Sequence, residues 1–278
     1  MSIIISLGAG HGGIDSGALG QTGLKEKDVN LAVVKKAGQL LSNTGAFDVK
    51  LLRDTDVYIG VRERGQMASK LGSKCHVEVH INAFDKKASY VEVFHSVNIQ
   101  SDKPYAQKMS DRIASILDVA SKGAQVRYGS KDKSGANTDY YGVIDVASDG
   151  GVPHIFFPEC GFIDYASTEA LLKQQSTLNS IAAAIAQTIC ELFGIAFSAT
   201  NTPIQPVAPV SPQTTTSSSQ NLETVKQGTY FVREKPEFSA RVIGTIKGGN
   251  AFYTVSAALG FRRIIFNGKI GYVGPGAW

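Results

Sequence analysis

The chain is expected to be a two-part protein: an α/β unit built on a mainly parallel sheet flanked by helices, followed by a small all-β barrel. Three observations predict it. Short Val/Ile/Phe-rich runs alternate with stretches of helical periodicity through the first 198 residues. Composition then breaks at residues 200–221, TNTPIQPVAPVSPQTTTSSSQN, which carry no charge and hold prolines at 203, 206, 209 and 212. A proline every third residue favours extended polyproline II, and a Thr/Ser/Gln run cannot bury a core, so this stretch reads as a linker. Beyond it, five β-prone stretches separated by Gly, Asn and Pro fill the last 57 residues. The domains are therefore placed at 1–199, 200–221 and 222–278, as a chain of 278 residues invites.

In the first unit, strands are expected at Ser2 to Leu7, Phe47 to Leu52, Cys75 to Ile81, Tyr90 to Phe94 and His154 to Phe157. Helices are expected at Asp28 to Leu41, Arg62 to Leu71, Tyr105 to Leu117 and Thr168 to Phe193. Strand and helix in alternation imply a parallel sheet, which collects ligands at the carboxyl ends of its strands. His11, His80 and Glu159 fall at or just after such ends, so residues far apart in sequence are brought to one crevice.

Composition excludes several classes. No run of eighteen or more apolar residues appears, so no membrane-spanning helix is expected. The amino terminus MSIIISLGAGHGG has no basic segment ahead of its apolar run, so we expect synthesis in a bacterial cytoplasm without a signal peptide. Cys75, Cys160 and Cys190 are odd in number and widely spaced, which reads as buried thiols instead of a disulfide framework. Charge divides unevenly: residues 222–278 hold eight basic against three acidic residues, a net of +5, and the rest of the chain nets −1. That asymmetry fits an anionic polymer as partner of the small unit, or a solvated basic face. No nucleic acid partner is expected, and the oligomeric state is not legible.

Two imidazoles and one carboxylate hold a zinc ion while leaving a coordination position open, and a further carboxylate can manage a proton there. His11 lies in the glycine loop GAGHGGIDSG, Glu26 opens the helix EKDVNLAVV, and Glu159 ends the apolar run IFF. An acid at a helix start is favoured by the dipole without any metal, whereas an ionised carboxylate entering a core needs a partner. In CHVEVHI, His76, Glu78 and His80 share one face of a strand. His80, nearest the strand's end and ahead of Asn82, is the preferred ligand. His76 reads as structural or surface, and Glu78 stays open.

These segments together resemble a known family. GAGHGGIDSGALG, GLKEKDVNLAV, LLRDTD, VRERGQMAS, VEVHINA and PECGFIDY, in that order, are similar to the zinc-dependent N-acetylmuramoyl-L-alanine amidases of phage endolysins, bacterial autolysins and sporulation lytic enzymes. The resemblance covers nearly all of residues 3 to 190. It implies His11, Glu26 and His80 as zinc ligands, Glu159 as the catalytic glutamate, and Arg64 and Asn82 as substrate-binding residues. Glu78 stands where a serine is common and Tyr165 where an asparagine is usual. The implied reaction is hydrolysis of the amide joining the lactyl group of N-acetylmuramic acid to the L-alanine of the stem peptide. Two alternatives from other classes are a Cys–His peptidase using Cys75 or Cys160, and a wall-binding adhesin without activity.

After the linker, GTYFVRE, RVIGTIK, AFYTVSA, FRRIIFN and KIGYVG each alternate or nearly so, with a hairpin signal at Asn267-Gly268. FVREKP, RVIGTIKGG, FRRIIFNGKIGYV and the terminal Trp278 resemble bacterial SH3-like wall-binding domains, with Phe261 where a tryptophan is usual. Tyr230, Tyr253, Phe261, Tyr272 and Trp278 read first as core, and at least one of Arg262 and Arg263 faces solvent or ligand. No wall-binding residue is singled out. The whole is expected to be a phage or prophage endolysin whose partners are peptidoglycan and anionic wall polymers.

Overall fold

The computed structural model describes residues 2–131 and 137–198, and beyond them 221–224, 226, 229–235, 242–247, 251–256, 262–266 and 269–273. The chain divides into two compact units, Met1–Asn201 and Thr202–Trp278. The expected linker at 200–221 lies almost wholly outside the described residues, as do Phe261, Trp278 and the Asn267-Gly268 turn.

The first unit is a three-layer sandwich. Its strands are β1 Ile3–Ala9, β2 Phe47–Leu51, β3 Cys75–Asn82, β4 Tyr90–His95, β5 Ala120–Gln125 and β8 Ile155–Phe162, with a separate ribbon of β6 Tyr128–Lys131 and β7 Asn137–Asp139. Its helices are α1 Glu26–Ser42, α2 Val61–Lys70, α3 Lys103–Leu117, α4 Gly142–Asp149, α5 Ala166–Leu172 and α6 Gln175–Leu192. The central sheet runs β2-β1-β3-β8-β4-β5. All its neighbours are parallel except β4 and β8, so it is mainly parallel, as expected.

Side chains alternate across each strand, and that alternation sorts the sheet into two unlike faces. On one face Ile5 and Leu7 of β1, Val77 and Val79 of β3, Val91 and Val93 of β4 and Phe156 of β8 meet Val33 of α1, Ile113 of α3 and Ile185 of α6 in the main core. Each such fully buried side chain contributes about 1.5–3 kcal/mol. The opposite face carries a smaller core, in which Phe94, Ile155 and Phe157 pack against Ala68 of α2 and Val143, Ile144 and Ala147 of α4. Its remaining positions hold His76, Glu78, His80, Glu92 and Glu159, the polar residues of the site.

The expected helix over Thr168 to Phe193 is two helices. Gln174 is extended (φ −89°, ψ 121°), and the re-aimed chain buries Leu172 before the break and Leu178 after it. The edge strand β5 escapes sequence reading because its first three residues are exposed, so no apolar alternation marks it. Among the described residues no helix is long and apolar enough to cross a membrane.

In the second unit, six strands form an antiparallel sheet in the order β11-β10-β14-β13-β12-β9. They are β9 Asn221–Thr224, β10 Thr229–Arg233, β11 Val242–Lys247, β12 Ala251–Ser256, β13 Arg262–Phe266 and β14 Lys269–Val273. The five strands expected from sequence are present, and β9 is added ahead of them. Val232, Ile246 and Val273 are buried, with Val232 and Val273 directly opposite each other.

Candidate active site

Glu26 is the hub. It is the first residue of α1, where the positive end of the helix dipole favours a carboxylate, and it is only 3% exposed. One oxygen accepts from the Ile81 backbone N–H at 3.1 Å and lies 2.9 Å from His80 Nδ1. The other accepts from the Ala18 N–H at 2.9 Å and lies 3.0 Å from His11 Nε2. Burial works to raise the carboxyl's pKa, but the hydrogen bonds and charges of His11 and His80 outweigh it and hold Glu26 far below the usual carboxylate range. The donor atoms of His11, Glu26 and His80 all lie within 4.8 Å of one another. The two imidazoles meet edge to face, with ring centroids 4.9 Å apart.

Each ligand candidate is held from behind. His11 has a left-handed backbone (φ 60°), a costly conformation for a residue with a Cβ and one that concentrates at functional sites. Its Nδ1 is fixed by Asp15 Oδ2 at 2.8 Å. Gly17 (φ +64°) must be glycine, because a Cβ there would stand 2.5 Å from Glu26 Oε2 and 2.6 Å from His11 Cδ2. His80 stacks on Phe157 at 4.5 Å with 10° between ring planes. Gly10 clears space on its other side, since a Cβ at that position would fall 2.4 Å from the His80 ring.

Glu159 faces this cluster from β8, directly opposite His80 on β3 and directly opposite Glu92 on β4. Its Oε2 is buried and has no hydrogen-bond partner. Burial, together with the charges of Glu26 and Glu92, pushes its pKa well above the usual range. A carboxyl whose affinity for a proton is raised beside a trio of metal-type donors is equipped to take a proton and give it back.

The sheet places these groups differently from the sequence expectation in one respect. His80 and Glu159 do not sit at strand ends: β3 continues two residues past the one and β8 three past the other. They project from one face of the sheet, and only His11 lies in the loop beyond a strand end.

Arg64 corrects the sequence reading. It is 3% exposed. It donates to the carbonyls of Ile59, Ala9 and His11 and, at 2.8 Å, to Glu78 Oε1. With four of its five N–H donors engaged by protein acceptors, it anchors the His11 loop. Glu78 is thereby explained: it is 1% exposed, and although burial opposes ionisation, Arg64 and His76 lower its pKa to about 2. It stands 4.0 Å behind His80 Nε2. His76 is structural, fully buried and 2.9 Å from Ser6 Oγ. Asn82 is half-buried and donates to Glu92 at 3.4 Å, on the cleft wall beyond His80.

The Cys–His alternative fails on geometry. Cys75 and Cys160 are fully buried on the main-core face of the sheet, opposite to His80 and Glu159. Burial raises both thiols, the reverse of what a nucleophilic thiolate needs.

Sequence reading passed over Asp15, Asn30, Glu92 and Phe157. Two of these carry a signal in spacing: Asp15 is four residues after His11, and Asn30, one helical turn after Glu26, donates to it at 3.2 Å.

The comparisons with known proteins point to one family. The chain is 33% identical over 195 residues to an endolysin of Bacillus phage SPP1, an alignment covering 70% of this chain and 68% of that one. It is 36% identical over 122 residues to the N-acetylmuramoyl-L-alanine amidase AmiA of Escherichia coli K12, and there the match spans 44% of this chain and only 42% of the relative. The solved catalytic domain of the amidase CwlV from Bacillus (Paenibacillus) polymyxa var. colistinus superposes with a TM-score of 0.60 at 26% identity, over 70% of this chain and 99% of that one. An amidase structure from Clostridium difficile 630, 24% identical with a TM-score of 0.60 over 69% and 97% of the two chains, shares the fold. Residues 5–191, which contain the whole cluster from His11 to Glu159, match the N-acetylmuramoyl-L-alanine amidase family; the chain belongs to that family and is a peptidoglycan amidase.

Proposed function

We propose that this amidase hydrolyses the bond between the N-acetylmuramic acid lactyl group and L-alanine with a zinc ion held by His11, Glu26 and His80, and with Glu159 as its general base and acid. The donor set supports zinc: two imidazoles and one carboxylate are a familiar catalytic combination with room for a further ligand. Glu159 Oε2, buried and without a partner, supports a missing positive neighbour. When bound, zinc supplies a Lewis acid that acidifies water to a pKa of about 7 and polarises an amide carbonyl.

The chain's own residues do the rest. Asp15 fixes the tautomer and orientation of His11 through Nδ1, and Phe157 fixes the plane of His80. Glu159 removes a proton from the attacking water and delivers one to the departing alanine nitrogen, which leaves poorly unless protonated. Asn82 stands on the cleft wall as a substrate contact.

The basic β unit is read as an SH3-like wall-binding module for peptidoglycan or its anionic polymers. Tethering it to the catalytic unit raises the effective concentration of enzyme at an insoluble substrate. With the similarity to the phage endolysin, this supports lysis of a host wall as the role.

The observation that carries the reading is the meeting of His11, Glu26 and His80 within 4.8 Å. The test is digestion of purified sacculi by protein as prepared, after chelation, and after zinc is restored. The expected result is new L-alanine amino termini, lost on chelation and regained with zinc. New reducing sugar ends, or chelator-resistant activity, would refute it.

A further inference from the structure

Beyond Glu159 the cleft wall changes character from acidic to aromatic and cationic. Three successive ring contacts lead outward from His80: Phe157 at 4.5 Å, Tyr141 stacked on Phe157 at 4.6 Å, and the Arg127 guanidinium 6.0 Å from the Tyr141 ring. Arg127 is exposed and lies 3.6 Å over the ring of Tyr140, itself 53% exposed. A second exposed cation, Lys122, stands 3.4 Å over the Tyr90 ring. Both cations act on Glu92, the residue opposite Glu159, and the Tyr141 hydroxyl feels Arg127, Glu159 and Glu92. Among the described residues no carboxylate stands within ion-pair distance of Arg127 or Lys122.

An Arg held 3.6 Å over one tyrosine ring and 6.0 Å from another has fewer rotamers left to lose, so its planar fork is pre-organised for a bidentate anion such as a carboxylate. The chemistry of the substrate says where that carboxylate is. The lactyl carboxyl of N-acetylmuramic acid is consumed in the scissile amide, and the neighbouring N-acetyl sugars are neutral. Free carboxylates near the reacting bond therefore lie on the stem peptide. An extended peptide advances about 3.5 Å per residue, so the ring path from His80 to Arg127 corresponds to roughly four residues at most.

We propose that Arg127, braced by Tyr140 and Tyr141, is a specificity-determining residue that binds a free carboxylate of the stem peptide, with Lys122 adding to the field. The inference rests on the amidase reading above and adds to it a preference for acidic over amidated stems.

The test uses the full chain and two synthetic muramoyl peptides that differ only in whether the stem carboxyls are free or converted to primary carboxamides. Wild type is expected to favour the acid by about 10-fold in kcat/KM, the scale of one charge-assisted hydrogen bond at a part-exposed site. Arg127→Ala erases that discrimination through KM, Arg127→Glu inverts it, and Arg127→Lys keeps part of it. A wild type indifferent to amidation, or an Arg127→Ala variant that discriminates as before, overturns the proposal while leaving the amidase reading intact. Cleavage of neither compound at the lactyl amide overturns both.

Discussion

Arg64→Met separates a side chain that touches substrate from one that holds the site together. The guanidinium donates to three carbonyls, those of Ala9, His11 and Ile59, and to the Glu78 carboxylate. Methionine fills much of the same space but removes the donor from the Ile59 and His11 carbonyls and the cationic partner from Glu78, while Ala9 keeps only Arg53. Removing one partner of a buried ion pair costs about 3–5 kcal/mol. The lowering of Glu78 from 4.5 to about 2 gives a similar figure, ~3 kcal/mol at 1.36 kcal/mol per unit. Set against the 5–15 kcal/mol typical of a domain, the loss is large. The assay is a thermodynamic cycle of wild type, Arg64→Met, Glu78→Gln and the double variant, unfolded in urea with circular dichroism as readout. Each single variant is expected to lose more than about 2 kcal/mol, and the double variant to lose less than their sum by about 0.5–3 kcal/mol. The Glu78 shift also fixes a sign. Its folded pKa lies below its unfolded one, so the stability it contributes is present above about 4.5 and is lost as pH falls toward 2. Glu78→Gln should flatten that acid limb. An Arg64→Met protein within about 1 kcal/mol of wild type but with a raised KM would refute the anchoring role and restore a substrate contact.

Glu159→Gln should lower the rate on sacculi by on the order of 10²–10⁴ while leaving bound metal unchanged, as elemental analysis would check. Because the folded pKa of Glu159 is raised, metal-free wild type should lose stability as pH rises above the ordinary carboxylate range, and urea midpoints of Glu159→Gln across pH should lack that slope. His11→Ala and His80→Ala should lose metal and activity together, which separates them from Glu159→Gln in the same elemental analysis. Gly10→Ala puts a methyl 2.4 Å from the His80 ring, so a folded variant with a normal circular dichroism spectrum should show weakened metal retention and reduced turnover.

The sheet was legible because Ile3 to Ala9 and Cys75 to Asn82 must bury one or both faces, and alternation exposes that need directly. The four chemical residues were legible for a different reason. Glu159 interrupts an otherwise apolar strand, where a charge without function is costly, and His80 stands nearest the end of a strand whose polar residues share one face. What sequence could not show is what else lies beside them, because that depends on register. Glu92 sits in a strand, VEVFH, that looks like any half-buried edge, and only the antiparallel pairing of β4 with β8 sets it opposite Glu159. Arg64 was misread for a related reason: an arginine in a motif block suggests a ligand contact, whereas its depth under the loop appears only once α2 is packed.

The two halves of the site are made rigid by different means, and this accounts for the basic residues near it. The backbones of His80 and Glu159 are fixed by the parallel pairing of β3 with β8, and Phe157 and Glu26 hold the His80 ring. His11 belongs to a glycine loop with no ladder, and its left-handed backbone must be imposed from outside. Three cations impose it through carbonyl oxygens. Arg53 donates to Ala9 and Gly10, Arg64 to Ala9 and His11, and Lys27 to Gly13. Burial and the proximity of Arg64 lower Arg53 only to about 10, so it stays charged at neutral pH. These cations anchor the loop at successive carbonyls on either side of the imidazole, and a charge-assisted bond contributes about 1.5–3 kcal/mol where a neutral one gives about 1. A strained loop can therefore present His11 to Glu26 with nearly the fixity of a strand, which the chemistry demands, since small misplacement of a reacting group costs orders of magnitude in rate.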